Sequence, residues 1–280
     1  MTVQDAKWAV VLGVTGGTGG AAATALAKDP GLNVFGMHRG HWAEEAKRVE
    51  DAVTAAGRRC HLRVADAGSY EHVVEAVDEL AQVAGPGSVK VLVHAIANAS
   101  YGTFLPSERW GGKALRPDQV DKTFASMAHS FVWWAQELNR RGLLAEDGAR
   151  LVALTNPMVE SVVHGWGLVA ATKAALDAYV RHLGFEMGPA GHRVVLVKFG
   201  LVETHAVMLA FKPEQWSRIK AGSAGNTPHQ RLCTVEEVAR FLSYLAGPGG
   251  EWFNAGMVDL TGGQSGALLD DVFYRKEWHG

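Results

Sequence analysis

The chain has 280 residues, 48% of them hydrophobic, and a formal charge of −2 at pH 7. That is enough apolar material to bury a sizeable core, in one large α/β domain or two small ones. The near-neutral balance gives no electrostatic basis for a nucleic-acid or anionic-membrane partner, and no apolar run reaches the roughly 18–20 residues of a membrane span. The opening residues MTVQDAKW lack a basic region followed by an apolar stretch, so a cytoplasmic protein is expected. Cys60 and Cys233 make no metal-ligand spacing. They read as reduced thiols, and no metal is expected. The nine tryptophans suggest a broad apolar site or an aromatic interface.

Short apolar runs fall at 10–14, 32–37, 61–65, 89–94, 151–155, 194–199 and 257–260, with helical patterns at 20–29, 42–56, 70–84, 118–141, 167–188 and 234–246 between them. Continuously apolar strands separated by helices indicate a parallel sheet covered on both faces. The expectation is a doubly wound, seven-stranded α/β fold in one domain. Residues 201–232 break the rhythm with Pro213, Trp216, Gly222, Gly225 and Pro228. Placed just after a strand's carboxyl end, such an insertion would lie over a ligand crevice as a substrate lid, or would be a plain surface excursion.

The first run leads into five glycines within eight residues: Gly13, Gly16, Gly17, Gly19 and Gly20, with Thr15 and Thr18 among them. An alanine-rich helix follows. Glycine lets the backbone turn sharply and approach a ligand, and the helix start offers unpaired N–H groups to a pyrophosphate. Between a first strand and a first helix this is a dinucleotide-site candidate. A P-loop would need Gly-Lys-Ser/Thr, and the first lysine after the glycines is Lys28.

Four segments together resemble the short-chain dehydrogenase/reductase superfamily: Thr15-Gly16-Gly17-Thr18-Gly19, Asp66 after the third strand, VLVHAIANA (residues 91–99), and the helix of Lys173 leading to VVLVKFGLVET (residues 194–204). VDLTGGQS (residues 258–265) is similar to the family's last strand and glycine pair. His94-Ala95-Ile96-Ala97, MGPAGHRV and TPHQRLCTVEEV are similar to the enoyl-acyl-carrier-protein reductase-like branch. The resemblance implies a Rossmann-type fold, a nicotinamide cofactor, a small-molecule or acyl-carrier-bound substrate, and a homodimer or homotetramer.

No carboxylate stands between Phe35 and Ala43 to hold a ribose 2′-hydroxyl, whereas His38 and Arg39 offer donors suited to a 2′-phosphate. NADP(H) is therefore expected ahead of NAD(H), unless Arg39 is simply solvated. The resemblance further implies that Asp66 accepts from the adenine amino group, with the Ala67 N–H beside it. Capping of the helix near Ser69 is the other reading of Asp66. Ala95, Ile96 and Ala97 would flank the adenosine side, and Gly200, Val202 and Thr204 the nicotinamide amide.

Relatives pair a lysine with a tyrosine four or seven residues earlier, the tyrosine donating a proton to the substrate oxygen. Lys173 matches that lysine, but Val169 and Trp166 occupy the tyrosine positions. Asn156, beside Thr155, stands where a serine or second tyrosine is usual, and Met127 where an asparagine often is. Either Trp166 donates an indole hydrogen bond to the substrate oxygen, with a proton from water, His164 or Tyr101, or reductase chemistry has been lost or replaced. The first case favours enoyl thioesters over ketones, because a delocalised enolate can wait for a proton. His129 and Ser126 are candidates to fill the asparagine gap. Met208, Leu209, Phe211 and Trp216 would form an apolar wall suited to an acyl chain or a polycyclic ketide, or a subunit contact.

Overall fold

A computed structural model describes residues 6–108, 111–160, 162–204, 207–208 and 211–266; Leu209 and the C-terminal segment 268–280 lie outside them. Seven parallel strands form one sheet: β1 (Trp8–Leu12), β2 (Asn33–His38), β3 (Cys60–Val64), β4 (Val89–His94), β5 (Arg150–Thr155), β6 (Arg193–Phe199) and β7 (Gly256–Leu260). Their spatial order is β3-β2-β1-β4-β5-β6-β7. This is the doubly wound fold expected of continuously apolar strands, and the order reverses between β1 and β4, where a crevice opens at the carboxyl ends.

Alternation along each strand sends successive side chains to opposite layers. Val10, Leu12, Phe35, Leu92, Leu151 and Leu196 pack beneath α3 (Tyr70–Ala84), α5 (Ser130–Arg140) and α6 (Gly167–Met187). Ala9, Val11, Val34, Val93, Val152 and Val197 meet α1 (Gly17–Lys28), α2 (Ala43–Ala55) and α8 (Val235–Ala246). Trp8 and Trp134 are fully buried in this packing, and half-buried Trp133 packs against it. Trp252, at 96% exposure, belongs to none of it. Cys60 and Cys233 are free thiols, and burial, with Glu50 nearby, pushes the Cys60 thiol up to about 12.

Three boundaries differ from the sequence pattern. The first strand stops at Leu12 because Gly13 turns the chain at φ +83°. The helical pattern over 118–141 is broken into α4 (Pro117–Phe124), a π-helical turn (Ala125–His129) and α5. Within the irregular stretch 201–232 lies a helix, α7 (Pro213–Gly225). Pro213 sits in its first turn, where a missing N–H costs nothing, so the residue that reads as a breaker is a helix start. No helix among the described residues is long and apolar enough to cross a membrane.

Candidate active site

The glycines after β1 build the floor of the crevice by steric necessity. A Cβ on Gly13 would lie 2.7 Å from the Ala95 carbonyl oxygen, at the β1–β4 junction. One on Gly19 would lie 2.2 Å from the Gly13 carbonyl oxygen, and one on Gly17 would lie 2.9 Å from Thr204 Cγ2. Gly13 and Gly19 are therefore the positions of this turn where neighbouring backbone excludes a side chain, while at Gly17 it is the Thr204 side chain that stands in the way. Gly16 precedes α1 without any side-chain cap, so the first-turn amides of α1 stay free for an anion. Thr15 and Gly16 border the opening, while Gly20 faces away toward Val14 and Val49.

An open cleft continues from these glycines along the ends of β2, β3 and β4. It gathers Gly13, Thr15, Gly16, Met37, His38, Arg39, Asp66, Ala67 and the tail Ala95-Ile96-Ala97-Asn98. His41 and Trp42 also line it; nothing in their spacing singled them out. Arg39 is exposed at the rim. His38 is buried, its Nδ1 accepts the Gly40 N–H at 3.2 Å, and burial lowers its pKa. The neutral ring thus offers only Nε2–H as a donor. Asp66 lines the cleft and does not cap α3, whose N-cap Ser69 has no side-chain cap. Its Oδ1 accepts the Gly68 N–H at 2.9 Å, ahead of α3, leaving Oδ2 free of that bond.

At the other end of the crevice Lys173, on α6, is only 4% exposed and its Nζ donates to the Leu154 carbonyl at 2.7 Å. Burial brings its pKa down to about 8. His94 is fully buried close by. Its Nε2 is 2.8 Å from Ser130 Oγ, which itself donates to the Ser126 carbonyl, so Nε2 carries the proton. Desolvation, then the Lys173 charge, push His94 down to about 3. Thr155 Oγ1, at the tip of β5, is buried with no partner among the described residues. A buried hydroxyl without a partner beside an open crevice is the kind of group a ligand completes.

Trp166 precedes α6 and is half-buried. Its rings lie 4.7 Å from Tyr101, tilted, and 6.0 Å from Phe211, stacked at 12°. Phe104 packs against Gly167 so closely that a Cβ there would meet its ring at 2.6 Å. Val169, one turn into α6, is buried. Among the described residues no acid replaces the tyrosine at either position. Met127 is buried, Ser126 Oγ accepts from Asn98 Nδ2 at 3.3 Å, and His129 pairs with Tyr179 at 3.0 Å. His164 is exposed in the loop ahead of Trp166, and Asn156 follows Thr155, half-buried. Gly200, Val202 and Thr204 carry the β6 tail back toward the glycine turn, with Gln264 Oε1 accepting the Leu201 N–H. Gln264 Nε2 donates to the Ser223 carbonyl of α7. Gln264 and Lys198 are structural finds without an assigned role in the sequence reading; the one signal for Lys198 is a lone cation in an apolar strand.

A dinucleotide fits this donor set: a glycine floor with no room for side chains, free helix amides, a buried ammonium and an uncompensated hydroxyl. The comparisons with known proteins agree. The family model described as Enoyl-(Acyl carrier protein) reductase matches residues 13–265. The chain is 26% identical to 1-cyclohexenylcarbonyl-CoA reductase of Streptomyces collinus, over 94% of this chain and 89% of that protein. It is 25% identical to a versicolorin reductase of Emericella nidulans, over 92% and 96%. A short-chain dehydrogenase from Burkholderia cenocepacia in complex with NADP superposes with a TM-score of 0.79 at 25% identity, covering 94% of this chain and 99% of that one. The chain belongs to the enoyl-acyl-carrier-protein reductase-like branch of the short-chain dehydrogenase/reductases, and is an NAD(P)H-dependent oxidoreductase.

Proposed function

We propose that the chain uses NADPH to reduce a conjugated carbonyl compound, of the enoyl thioester or polyketide type, through an active site in which an aromatic wall replaces the usual acid. The observation that carries this is Lys173, a buried ammonium held against the Leu154 carbonyl, next to a site mouth made of Trp166, Tyr101 and Phe211. Bound in the cleft, the cofactor supplies a hydride. Thr15, Gly16 and the α1 amides hold its pyrophosphate; Arg39 and His38 Nε2 take the 2′-phosphate; Asp66 and Ala67 meet the adenine. Lys173, with Thr155 and Asn156 nearby, grips the nicotinamide ribose, while Val202 and Thr204 meet the amide.

Trp166 has an indole N–H and no titratable proton, so it stabilises negative charge without neutralising it. That suits a β-hydride acceptor, whose charge spreads into an enolate, and not a simple ketone. Tyr101 lies against Trp166, and burial raises its pKa. It stays protonated and is one proton source beside the indole ring; exposed His164 and water are the others. The described part of the segment 201–232, α7 with Met208, Phe211 and Trp216, serves as an apolar lid over the substrate. A cytoplasmic homodimer or homotetramer is the assembly we assign. The half-buried rings Phe124, His129, Trp133 and Tyr179, with exposed Phe185 on α6, provide an apolar face for it.

The test is NADPH consumption with purified protein against a panel of 2-enoyl thioesters, cyclic enones and simple ketones. Turnover of the conjugated substrates and not the ketones is expected; the opposite preference ends the proposal. NADPH binding without turnover across the panel would favour a non-redox or cofactor-sensing role, the reading that the apolar residues Val169 and Met127 at usually polar positions support.

A further inference from the structure

Lys198 is the one lysine of β6, in a strand whose preceding residues Val194–Val197 are all buried and apolar. Its side chain is 4% exposed, and it lies in register with Thr155 on β5 and Asp259 on β7. The ammonium meets both oxygens of Glu160, at 3.0 and 2.9 Å, and Asp259 Oδ2 at 2.9 Å. The other Asp259 oxygen accepts the N–H and hydroxyl of Thr261, at 2.8 and 2.5 Å. All three ammonium protons thus have acceptors on two different elements, which is what makes a buried lysine tolerable.

Glu160 lies in the loop between β5 and α6, four residues after Asn156 and six before Trp166. The short turn Pro157–Val159 just before Glu160 packs against α6, and the chain beyond Glu160 runs out to solvent. Val162 is fully exposed, Val163 is 39% exposed, and the backbone bonds on either side of it are local turns. Its far end is held by the Gly102 N–H on the Gly165 carbonyl. We infer that Lys198 is a positioning residue, an ionic clamp that fastens the middle of the β5–α6 loop to the β6–β7 edge and so sets Asn156 and Trp166 at the substrate mouth. The inference deepens the reductase reading and rests on it for the kinetic consequence, though not for the clamp itself.

Both carboxylates are about half exposed (47% and 45%), so removing the lysine leaves them to water and the chain should still fold. The experiment uses the full chain with NADPH and a short 2-enoyl-coenzyme A. In Lys198→Met, amide hydrogen exchange of residues 156–166 should quicken at least about tenfold, with the sheet unchanged. The KM for the thioester should rise or kcat fall by about tenfold or more, while NADPH affinity falls by less than that, since the adenosine cleft at the far end keeps its contacts. Lys198→Arg should recover much of both effects, and Glu160→Gln should reproduce them without adding to Lys198→Met. Unchanged exchange in Lys198→Met overturns the clamp. Faster exchange with wild-type kinetic constants overturns its positioning role. If wild-type protein reduces no conjugated substrate, the reductase reading fails on its own, and the exchange measurement still decides the clamp.

Discussion

The two ends of the crevice are built on different principles. Around β1, β2 and β3 the work is done by backbone: Gly13 at φ +83°, Gly19 pressed on the Gly13 carbonyl, and the uncapped start of α1. Around β5 and β6 it is done by side chains, and there one ammonium, Lys173, stands with Thr155, Asn156 and a set of aromatic rings. A site made of backbone has few alternative solutions, because a Cβ in the wrong place removes the cleft. A site made of side chains can exchange an acid for an indole and keep its shape. The difference teaches that binding and chemistry are separately variable in this molecule, and substitutions at the two ends should therefore fail in different ways.

The largest effect is expected at the shared point, Lys173. Lys173→Met should lower kcat/KM by about a thousandfold or more, by removing the charge that grips the ribose and steadies developing negative charge. The unliganded protein should nevertheless be more stable at pH 7, by up to about 3 kcal/mol, because a buried ammonium is lost. The sign follows from linkage. With a folded pKa near 8 against 10.5 unfolded, the penalty is fully present below pH 8, and wild-type stability from this group rises between pH 8 and 10.5. Denaturant unfolding of both proteins across that range checks it: the stability gap should close as pH rises. Over the same range the free enzyme loses the ammonium, so wild-type kcat/KM should fall above about pH 8.

Next is the glycine floor. Gly19→Ala places a methyl 2.2 Å from the Gly13 carbonyl, which only a backbone shift relieves. We expect NADPH affinity to drop by about a hundredfold or more, with about 2–4 kcal/mol lost from stability, in the range of severe overpacking. Calorimetric titration and thermal unfolding read the two quantities. An alanine at Gly20, whose nearest atoms are 3.1–3.2 Å away, should do markedly less. Equal damage at both positions would mean that flexibility, and not close approach, is what the glycines provide.

That contrast also explains what the sequence disclosed. The seven parallel strands, the helices on both faces and the glycine turn after β1 were legible because apolar runs and glycine spacing are local signals of local geometry. His41 and Trp42 were not, since their place on the cleft wall depends on how the chain turns after Gly40 at φ +80°. Lys198 was hidden for the same reason: its partners Glu160 and Asp259 are distant in sequence and meet only once β6 and β7 pair. The helix α7 was concealed by Pro213, Gly222 and Gly225, residues that read as breakers until the first and last turns are located. That Val169 and Trp166 stand four and seven residues before Lys173, in contrast, needs no structure to see, because the spacing is read directly from the sequence.

Smaller effects separate the indole's hydrogen bond from its shape. Trp166→Phe keeps a ring between Tyr101 and Phe211 and removes the N–H. If the indole donates to the substrate oxygen, kcat should fall about ten- to a hundredfold with KM little changed. Trp166→Tyr adds an ionisable hydroxyl in the same stack and should confer measurable ketone reduction, against none expected of the wild type. A Phe variant with wild-type kcat would confine Trp166 to packing and leave Tyr101 as the polar group at the mouth.

The smallest effect lies at the rim of the binding end. Arg39 is exposed, with water on one side and the cleft on the other, so its contact with a 2′-phosphate is screened and costs side-chain entropy. Arg39→Ala should therefore weaken NADPH by about tenfold, near 1.4 kcal/mol, and leave NADH unchanged. Raising the salt concentration should reduce the wild-type preference in the same direction. His38 adds little charge to this discrimination, because burial lowers its pKa and its Nδ1 is spent on the Gly40 N–H. The NADPH preference of Arg39→Ala should then be nearly flat between pH 6 and 8. A strong rise toward acid pH would assign the phosphate to a histidine, and exposed His41, on the same turn, would be the residue to replace next.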